Sequence, residues 1–158
     1  MVKEKISIPL IAAGGIATGR GMLAAMVLGA DGVQMGSRFA ASVESSAHNN
    51  FKNTVVASKE GDTQLTLKEL APVRLIKNKF YQQVQELYAK GATNEELIQL
   101  LGRARAKRGM FEGDLEEGEL EIGQISGLIH DIQPVSKIIE SILTEFQLAQ
   151  KESVQWVF

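Results

Sequence analysis

The sequence contains no cysteine, which excludes disulfide bonds, thiolate metal sites and a cysteine nucleophile. It has only two histidines, His48 and His130, and their separation along the chain argues against a histidine metal cluster. The excess of acidic over basic residues is small, 19 against 17, whereas a dedicated nucleic-acid-binding protein is usually basic. No apolar run reaches the roughly 18 residues of a membrane span. We therefore expect a cytoplasmic protein that binds neither nucleic acid nor membrane.

The first 36 residues carry the pattern of a strand, a helix and a second strand. The apolar run 6–13 ends at two glycines and is typical of a buried parallel strand. Residues 20–29 place Leu23, Met26 and Val27 on one helical face, and residues 32–36 predict a second short strand. The 158-residue chain, 44% hydrophobic and 23% charged, thus begins with a compact βαβ unit, followed by a longer region of different character.

The remainder of the chain favours helices. We predict a helix over residues 75–90, a capping box from Thr93 to Glu96 and a last helix that begins near Pro134. The acidic stretch 112–121 predicts a solvated loop. The apolar stripe of the last helix packs on its own domain by default, and a contact with a second copy, giving a homo-oligomer, is the alternative.

Two glycine-containing turns follow the two predicted strands. Gly14 and Gly15 allow close approach of the backbone to a ligand, and the amides there, with that of Ile16, can point at an anion. Gly36 and Ser37 form a second turn that offers amides and one hydroxyl. The helix after the first turn is expected to add its positive N-terminal end. In (β/α)₈ barrels such a phosphate site is built by the loops after strands seven and eight.

Several segments together resemble the nitronate monooxygenase (2-nitropropane dioxygenase) family, which includes FMN-dependent enoyl-ACP reductases. They are AAGGIATGRG, GADGVQMGSRF, ESSAH, GDTQLTL, PVRLIKNKF and GQISGLI, and the resemblance extends to about residue 145. It implies FMN as the cofactor, with its phosphate and ribityl groups bound by Gly14, Gly15, Gln34, Met35, Gly36 and Ser37. Many relatives have threonine where this chain has Ser37, so the hydroxyl is kept. Gly123, Gln124 and Gly127 resemble a further family motif, which either reaches the flavin or substrate or starts a helix.

The resemblance also implies the fold class α/β. We expect the C-terminal portion of a (β/α)₈ TIM barrel, about strands seven and eight, followed by a mostly helical cap. Residues 1–67 are the expected barrel segment with the FMN phosphate-binding loops, and residues 68–158 the mainly helical cap or tail. The family's catalytic histidine lies in an upstream AGGHxG-like motif that this sequence does not contain. We therefore assign no catalytic residue and no metal ligand, and expect the chain alone to bind FMN weakly and to be inactive.

For the intact parent, the resemblance implies an FMN-dependent oxidoreductase that converts an alkyl nitronate and O₂ to a carbonyl compound and nitrite. Three alternatives remain open from the sequence. They are a related NAD(P)H-dependent flavin or enoyl-ACP reductase, another phosphate-binding barrel of the IMP-dehydrogenase type, and a non-catalytic fragment that assembles with a partner. The absence of cysteine and the GDTQLTL and PVRLIKNKF segments count against the second.

Overall fold

The computed structural model describes residues 2–155. A short 3₁₀ turn (Lys3–Lys5) precedes a βαβ unit, which the sequence predicts. The strands β1 (Ile11–Ala13) and β2 (Gly32–Gln34) pair in parallel, with Ile11 opposite Gly32 and Ala13 opposite Gln34. The connecting helix α1 (Gly19–Val27) is capped by the Thr18 side chain, which accepts a hydrogen bond from the Gly21 amide. The carboxyl ends of both strands therefore lie at the same edge of the sheet.

The following elements are helical apart from one hairpin. They are α2 (Ser37–Ala40), α3 (Asn49–Ala57), β3 (Thr63–Thr66), β4 (Val73–Ile76), α4 (Lys79–Ala89), α5 (Asn94–Leu101), α6 (Arg105–Met110), a 3₁₀ turn (Gln124–Leu128) and α7 (Val135–Ser153). The strands β3 and β4 pair antiparallel. The predicted capping box at the start of α5 is confirmed, with Thr93 and Glu96 each accepting a backbone hydrogen bond from the other residue.

Two apolar clusters hold these elements together. The larger one joins Phe51 and Val55 of α3 to Leu120, Ile122 and other residues from the later part of the chain. The smaller one lies between the β3–β4 hairpin and helices α4 and α5, around Phe80 and Leu97. The larger cluster therefore contains residues from both sides of position 67, and the division of the chain at that position stays a prediction.

Helix α7 packs directly on α1 at Gly19. A β-carbon added to Gly19 would lie 2.3 Å from the Ile142 carbonyl oxygen and 2.3 Å from the Phe146 nitrogen. The Glu145 carboxylate accepts a hydrogen bond from the Gly19 amide at 2.9 Å. The last helix thus lies against the βαβ unit and fixes the N-terminal end of α1.

Three local predictions need correction. The first strand covers only Ile11–Ala13, because its partner β2 is three residues long. The predicted helix 75–90 begins at Lys79, since Val73–Ile76 pairs with β3 and Asn78 caps the helix. The acidic stretch is not a solvated loop throughout: Gly118, Glu119 and Leu120 are buried. The Leu120 carbonyl accepts a hydrogen bond from the Ile76 amide, which draws this stretch into the core.

Of the helices within residues 2–155, none combines the length and the apolar character that crossing a bilayer requires.

Candidate functional site

The two predicted turns meet at one cavity of about 290 Å³, at the carboxyl ends of β1 and β2. Its wall is formed by Ala13, Gly14, Gly15, Ile16, Gln34, Gly36, Ser37, Gly123 and Ile125. Five of the six residues that the sequence singled out are therefore brought together, and they come from two segments about 20 residues apart. The parallel pairing of β1 and β2 is what places the two turns side by side.

The first turn is built by two glycines in left-handed backbone conformations. Gly14 has φ +96° and Gly15 has φ +68°, and a β-carbon at either position would meet nothing within 4 Å. The requirement for glycine is thus conformational, because other residues rarely adopt these angles. Within residues 2–155 the amides of Gly15 and Ile16 donate to no other group, so they are free to bind an acceptor in the cavity.

The N-terminal end of α1 does not contribute to this cavity, contrary to the sequence-based expectation. The amide of Gly19, the first residue of the helix, donates to the Glu145 carboxylate of α7. The Gly21 amide donates to the Thr18 hydroxyl at 3.1 Å. Helix α1 begins three residues beyond Ile16, the last residue of the first turn that lines the cavity. Its positive end therefore stabilises the contact with α7, and an anion in the cavity would rely on the turn amides instead.

The second turn places a hydroxyl in the cavity wall. The Ser37 oxygen accepts a hydrogen bond from the Gly123 amide at 3.2 Å, which joins the turn after β2 to a segment 86 residues later. Gln34, the last residue of β2, is exposed and lines the same cavity with its neighbours Gly36 and Ser37. This turn thus offers polar groups without a net charge.

Met35 is the exception among the predicted cofactor-binding residues. It lies in a separate cavity of about 190 Å³, against Met22, Val33 and Phe39 and against α7. Gln34 lines the glycine-rich cavity, and the next residue in an extended chain points to the opposite face. That Met35 contacts the cofactor stays a prediction; in this structure the residue lines the cavity behind the site.

Arg38 and both histidines also lie outside the cavity wall. The Arg38 guanidinium pairs with the Asp131 carboxylate at 2.5 Å and donates to the Asp131 carbonyl at 3.0 Å. His48 caps α3, accepting a hydrogen bond from the Asn50 amide at Nδ1. His130 is exposed. The residues 2–155 contain no group of three or more histidine, aspartate or glutamate side chains placed to hold a metal.

The part of the site that sequence reasoning left open is the segment from Gly123 to Ile125. A β-carbon at Gly123 would lie 2.9 Å from the Ser37 oxygen, so the two segments are in close contact there. The sequence pointed to this segment only through the glycine of GQISG, and no local pattern predicted which turn that glycine contacts. The structure thus adds a third segment to the cavity wall.

The cavity is suited to binding and offers no group for proton transfer. All nine residues of its wall are non-titratable side chains or glycines. Backbone amides and a hydroxyl are the groups that hold phosphate oxygens in many proteins. The volume of about 290 Å³ is near the lower limit of small-molecule sites.

Comparison with known proteins identifies the family. The family model described as nitronate monooxygenase matches residues 1–145. The chain belongs to the nitronate monooxygenase family. Its relatives include a probable nitronate monooxygenase of Staphylococcus saprophyticus, 36% identical over 143 residues, which cover 90% of this chain and 40% of the relative. The chain thus spans less than half the length of the curated family members it matches.

Solved structures agree with this assignment. FabK from Thermotoga maritima is 41% identical with a TM-score of 0.90, and the match covers 99% of this chain and 50% of FabK. A nitroalkane oxidase from Streptomyces ansochromogenes is 29% identical with a TM-score of 0.72, over 96% of this chain and 43% of the oxidase. These neighbours are TIM-barrel enzymes, so the family member described here corresponds to part of such a barrel.

Proposed function

We propose that this chain supplies the flavin-phosphate site of an FMN-dependent oxidoreductase. The observation that carries the proposal is the meeting of the two turns, Gly14–Gly15 and Gly36–Ser37, at one open cavity. Family membership supports a flavin as the cofactor. The geometry of the two turns supports the binding of an anionic group of that flavin in this cavity. FMN ends in a phosphate, so it combines both requirements.

Several residues at the cavity have proposed roles in binding the cofactor. The amides of Gly15 and Ile16 and the Ser37 hydroxyl bind the phosphate oxygens, and Gly14 and Gly36 keep the backbone clear of the ligand. Gln34 presents its amide to the adjoining ribityl chain, while Met35 packs behind the turn. The flavin, when bound, supplies the electron-transfer chemistry. The chain itself positions it and contributes no proton-transferring group from the cavity wall.

We also propose the place of the chain in the barrel. The strands β1 and β2 correspond to strands seven and eight, since the loops after those strands form the phosphate site of many TIM barrels. Residues 1–67 are the proposed barrel segment and residues 68–158 the mainly helical region. The parallel pairing of β1 with β2 and the position of the cavity at their carboxyl ends support this placement.

For the whole protein we propose nitronate monooxygenase activity, in which an alkyl nitronate and O₂ give a carbonyl compound and nitrite. The family model and the probable nitronate monooxygenases among the relatives support it. The catalytic group is not among the residues of the cavity wall, so we expect no turnover by this chain alone.

An NAD(P)H-dependent enoyl-ACP reductase is the second candidate. It is favoured by the identity of 41% with FabK, which exceeds the 36% with the probable nitronate monooxygenase. The two candidates share the flavin and its phosphate site. They differ in both the electron donor and the electron acceptor, so O₂ consumption with a nitronate and NAD(P)H oxidation with an enoyl thioester distinguish them in a full-length relative.

The phosphate site is tested by comparing FMN with riboflavin, which lacks the phosphate. We expect the full chain to quench flavin fluorescence at lower concentrations of FMN than of riboflavin. The substitution Gly15→Ala should reduce this preference, because alanine disfavours φ +68° and the turn amides lose their direction.

Gly91→Ala is the matched control. Gly91 has φ +70° and, like Gly15, nothing within 4 Å of an added β-carbon, but it lies after α4 and not at the cavity. Both variants should lose similar stability, and only Gly15→Ala should weaken FMN binding. Equal binding of FMN and riboflavin by the unchanged chain would contradict the proposal.

A further inference from the structure

The Ser37 side chain is held by a segment far away in the sequence that lines the same cavity. Its oxygen accepts a hydrogen bond from the Gly123 amide at 3.2 Å. Within residues 2–155 the Ser37 hydroxyl donates to no acceptor, so its hydrogen remains available. A serine hydroxyl has one hydrogen to donate, and an oxygen that accepts from an amide directs that hydrogen elsewhere. Because the Ser37 side chain lines the cavity, this hydrogen is available to a ligand there.

Position 123 admits only a residue without a side chain if this arrangement is to persist. A β-carbon there would lie 2.9 Å from the Ser37 oxygen, closer than such atoms normally approach. The backbone at Gly123 has φ −69° and ψ 153°, which any residue adopts without strain. The need for glycine is therefore steric and specific to the Ser37 hydroxyl, in contrast to the conformational need at Gly14 and Gly15.

We propose that Gly123 is a positioning residue of the anion site. Its N–H holds the Ser37 oxygen, so that the hydroxyl hydrogen points to an anionic oxygen in the cavity, and its missing side chain leaves room for that hydroxyl. This inference rests on the proposed phosphate site and goes beyond it, because it adds a residue that acts through the Ser37 hydroxyl.

The substitution Gly123→Ala separates this role from a structural one. The added β-carbon would approach the Oγ atom of Ser37, and this side chain can rotate to another staggered position. The fold should therefore tolerate the change, with little effect on the unfolding midpoint, while the hydroxyl leaves its present direction. Loss of one hydrogen bond to a charged group corresponds to roughly a 10-fold or greater loss in affinity.

The experiment measures FMN and riboflavin binding to the full chain by flavin fluorescence, for the unchanged protein, Gly123→Ala, Ser37→Ala and the double variant. We expect each single variant to lose about 10-fold in affinity for FMN and little for riboflavin. The double variant should bind FMN as each single variant does, because both substitutions remove the same hydroxyl contact.

Gly127→Ala, within the 3₁₀ turn that Gly123 precedes, is the matched control. Its added β-carbon would meet the backbone of Lys59 and Glu60 at 3.4 Å or more and does not approach Ser37. It should leave the FMN preference unchanged.

Two results would overturn the inference while leaving the phosphate site intact. One is a Gly123→Ala protein that keeps the full preference for FMN over riboflavin. The other is a double variant whose loss is the product of the two single losses, since independent effects would mean that Gly123 does not act through Ser37. A failure of the unchanged chain to distinguish FMN from riboflavin would instead overturn the proposed function, and this inference with it.

Discussion

The pH dependence of stability should carry the signature of one buried carboxyl group, Glu119. This residue is 6% exposed, and within residues 2–155 its carboxylate accepts no hydrogen bond. Burial, together with the neighbouring Glu121 carboxylate, raises the pKa of Glu119 from 4.5 to about 7, although Arg105 acts in the opposite direction. The Arg105 guanidinium already donates to the carbonyls of Leu100, Leu101 and Glu117.

The sign of the effect follows from proton binding. Between pH 4.5 and about 7 the folded protein holds the Glu119 proton more often than the unfolded chain does, so the contribution of Glu119 to the free energy of unfolding falls as pH rises. A pKa of about 7 in place of 4.5 corresponds to about 3 kcal/mol lost by pH 8. The carboxyl group itself is only partly enclosed by protein atoms, so solvent screening lowers this value and about 3 kcal/mol is an upper limit.

The assay is urea unfolding from pH 4 to pH 8.5, comparing the unchanged chain with Glu119→Gln. Groups that do not interact with Glu119 contribute equally to both proteins and cancel in the difference. We expect the two free energies of unfolding to be similar near pH 4 and the glutamine variant to be more stable above pH 8, by at most about 2 kcal/mol after solvent screening. Glu116→Gln, at an exposed residue of the same stretch, is the control. A Glu119→Gln difference that stays constant over this range would refute the reasoning.

Three further predictions concern packing and hydrogen bonds, each measured by urea unfolding. Gly19→Ala should destabilise the fold by about 3 kcal/mol or more, since its β-carbon would collide with the α7 backbone. Gly21→Ala in the same helix is the control and should cost little stability. A tolerated Gly19→Ala would contradict the close contact of α1 and α7. Lys52→Met should cost about 1–3 kcal/mol, because the buried Lys52 amine donates to the carbonyls of Val43 and Ser45, while the same change at exposed Lys59 should be neutral. Thr93→Ala should cost about 1 kcal/mol through loss of the capping box, and Thr93→Ser should retain most of it.

The local features of this chain were set by short stretches of sequence. The two glycines after an apolar run predicted the turn at Gly14–Gly15, and both adopt positive φ. The pattern Thr93 to Glu96 predicted a capping box, which forms as expected. Such features depend on residues within a few positions of one another, so the sequence alone contains the information that they need.

The family resemblance reached further, because it joined segments spread over most of the chain. It led to the expectation of a partial TIM barrel with a phosphate site at the two turns, and the family is confirmed. Hydrophobic periodicity predicted secondary structure less reliably where helix and strand patterns overlap. The predicted helix 75–90 included Leu75 and Ile76, but Val73–Ile76 pairs as a strand with Thr63–Thr66, since strand pairing depends on a partner elsewhere in the chain.

What only the tertiary structure decided is where distant segments meet. Glu145 lies 126 residues from Gly19 and still occupies the N-terminal end of α1, which removed that helix from the expected anion site. Gly123 lies 86 residues from Ser37 and holds its hydroxyl, and Met35 turns towards α7 rather than the cavity. The sequence determines which groups are able to bind and which turns present them. The packing of α7 and of the Gly123 segment against the βαβ unit determines which of those groups remain free, because each hydrogen-bonding group that finds a partner within the fold is lost to a ligand.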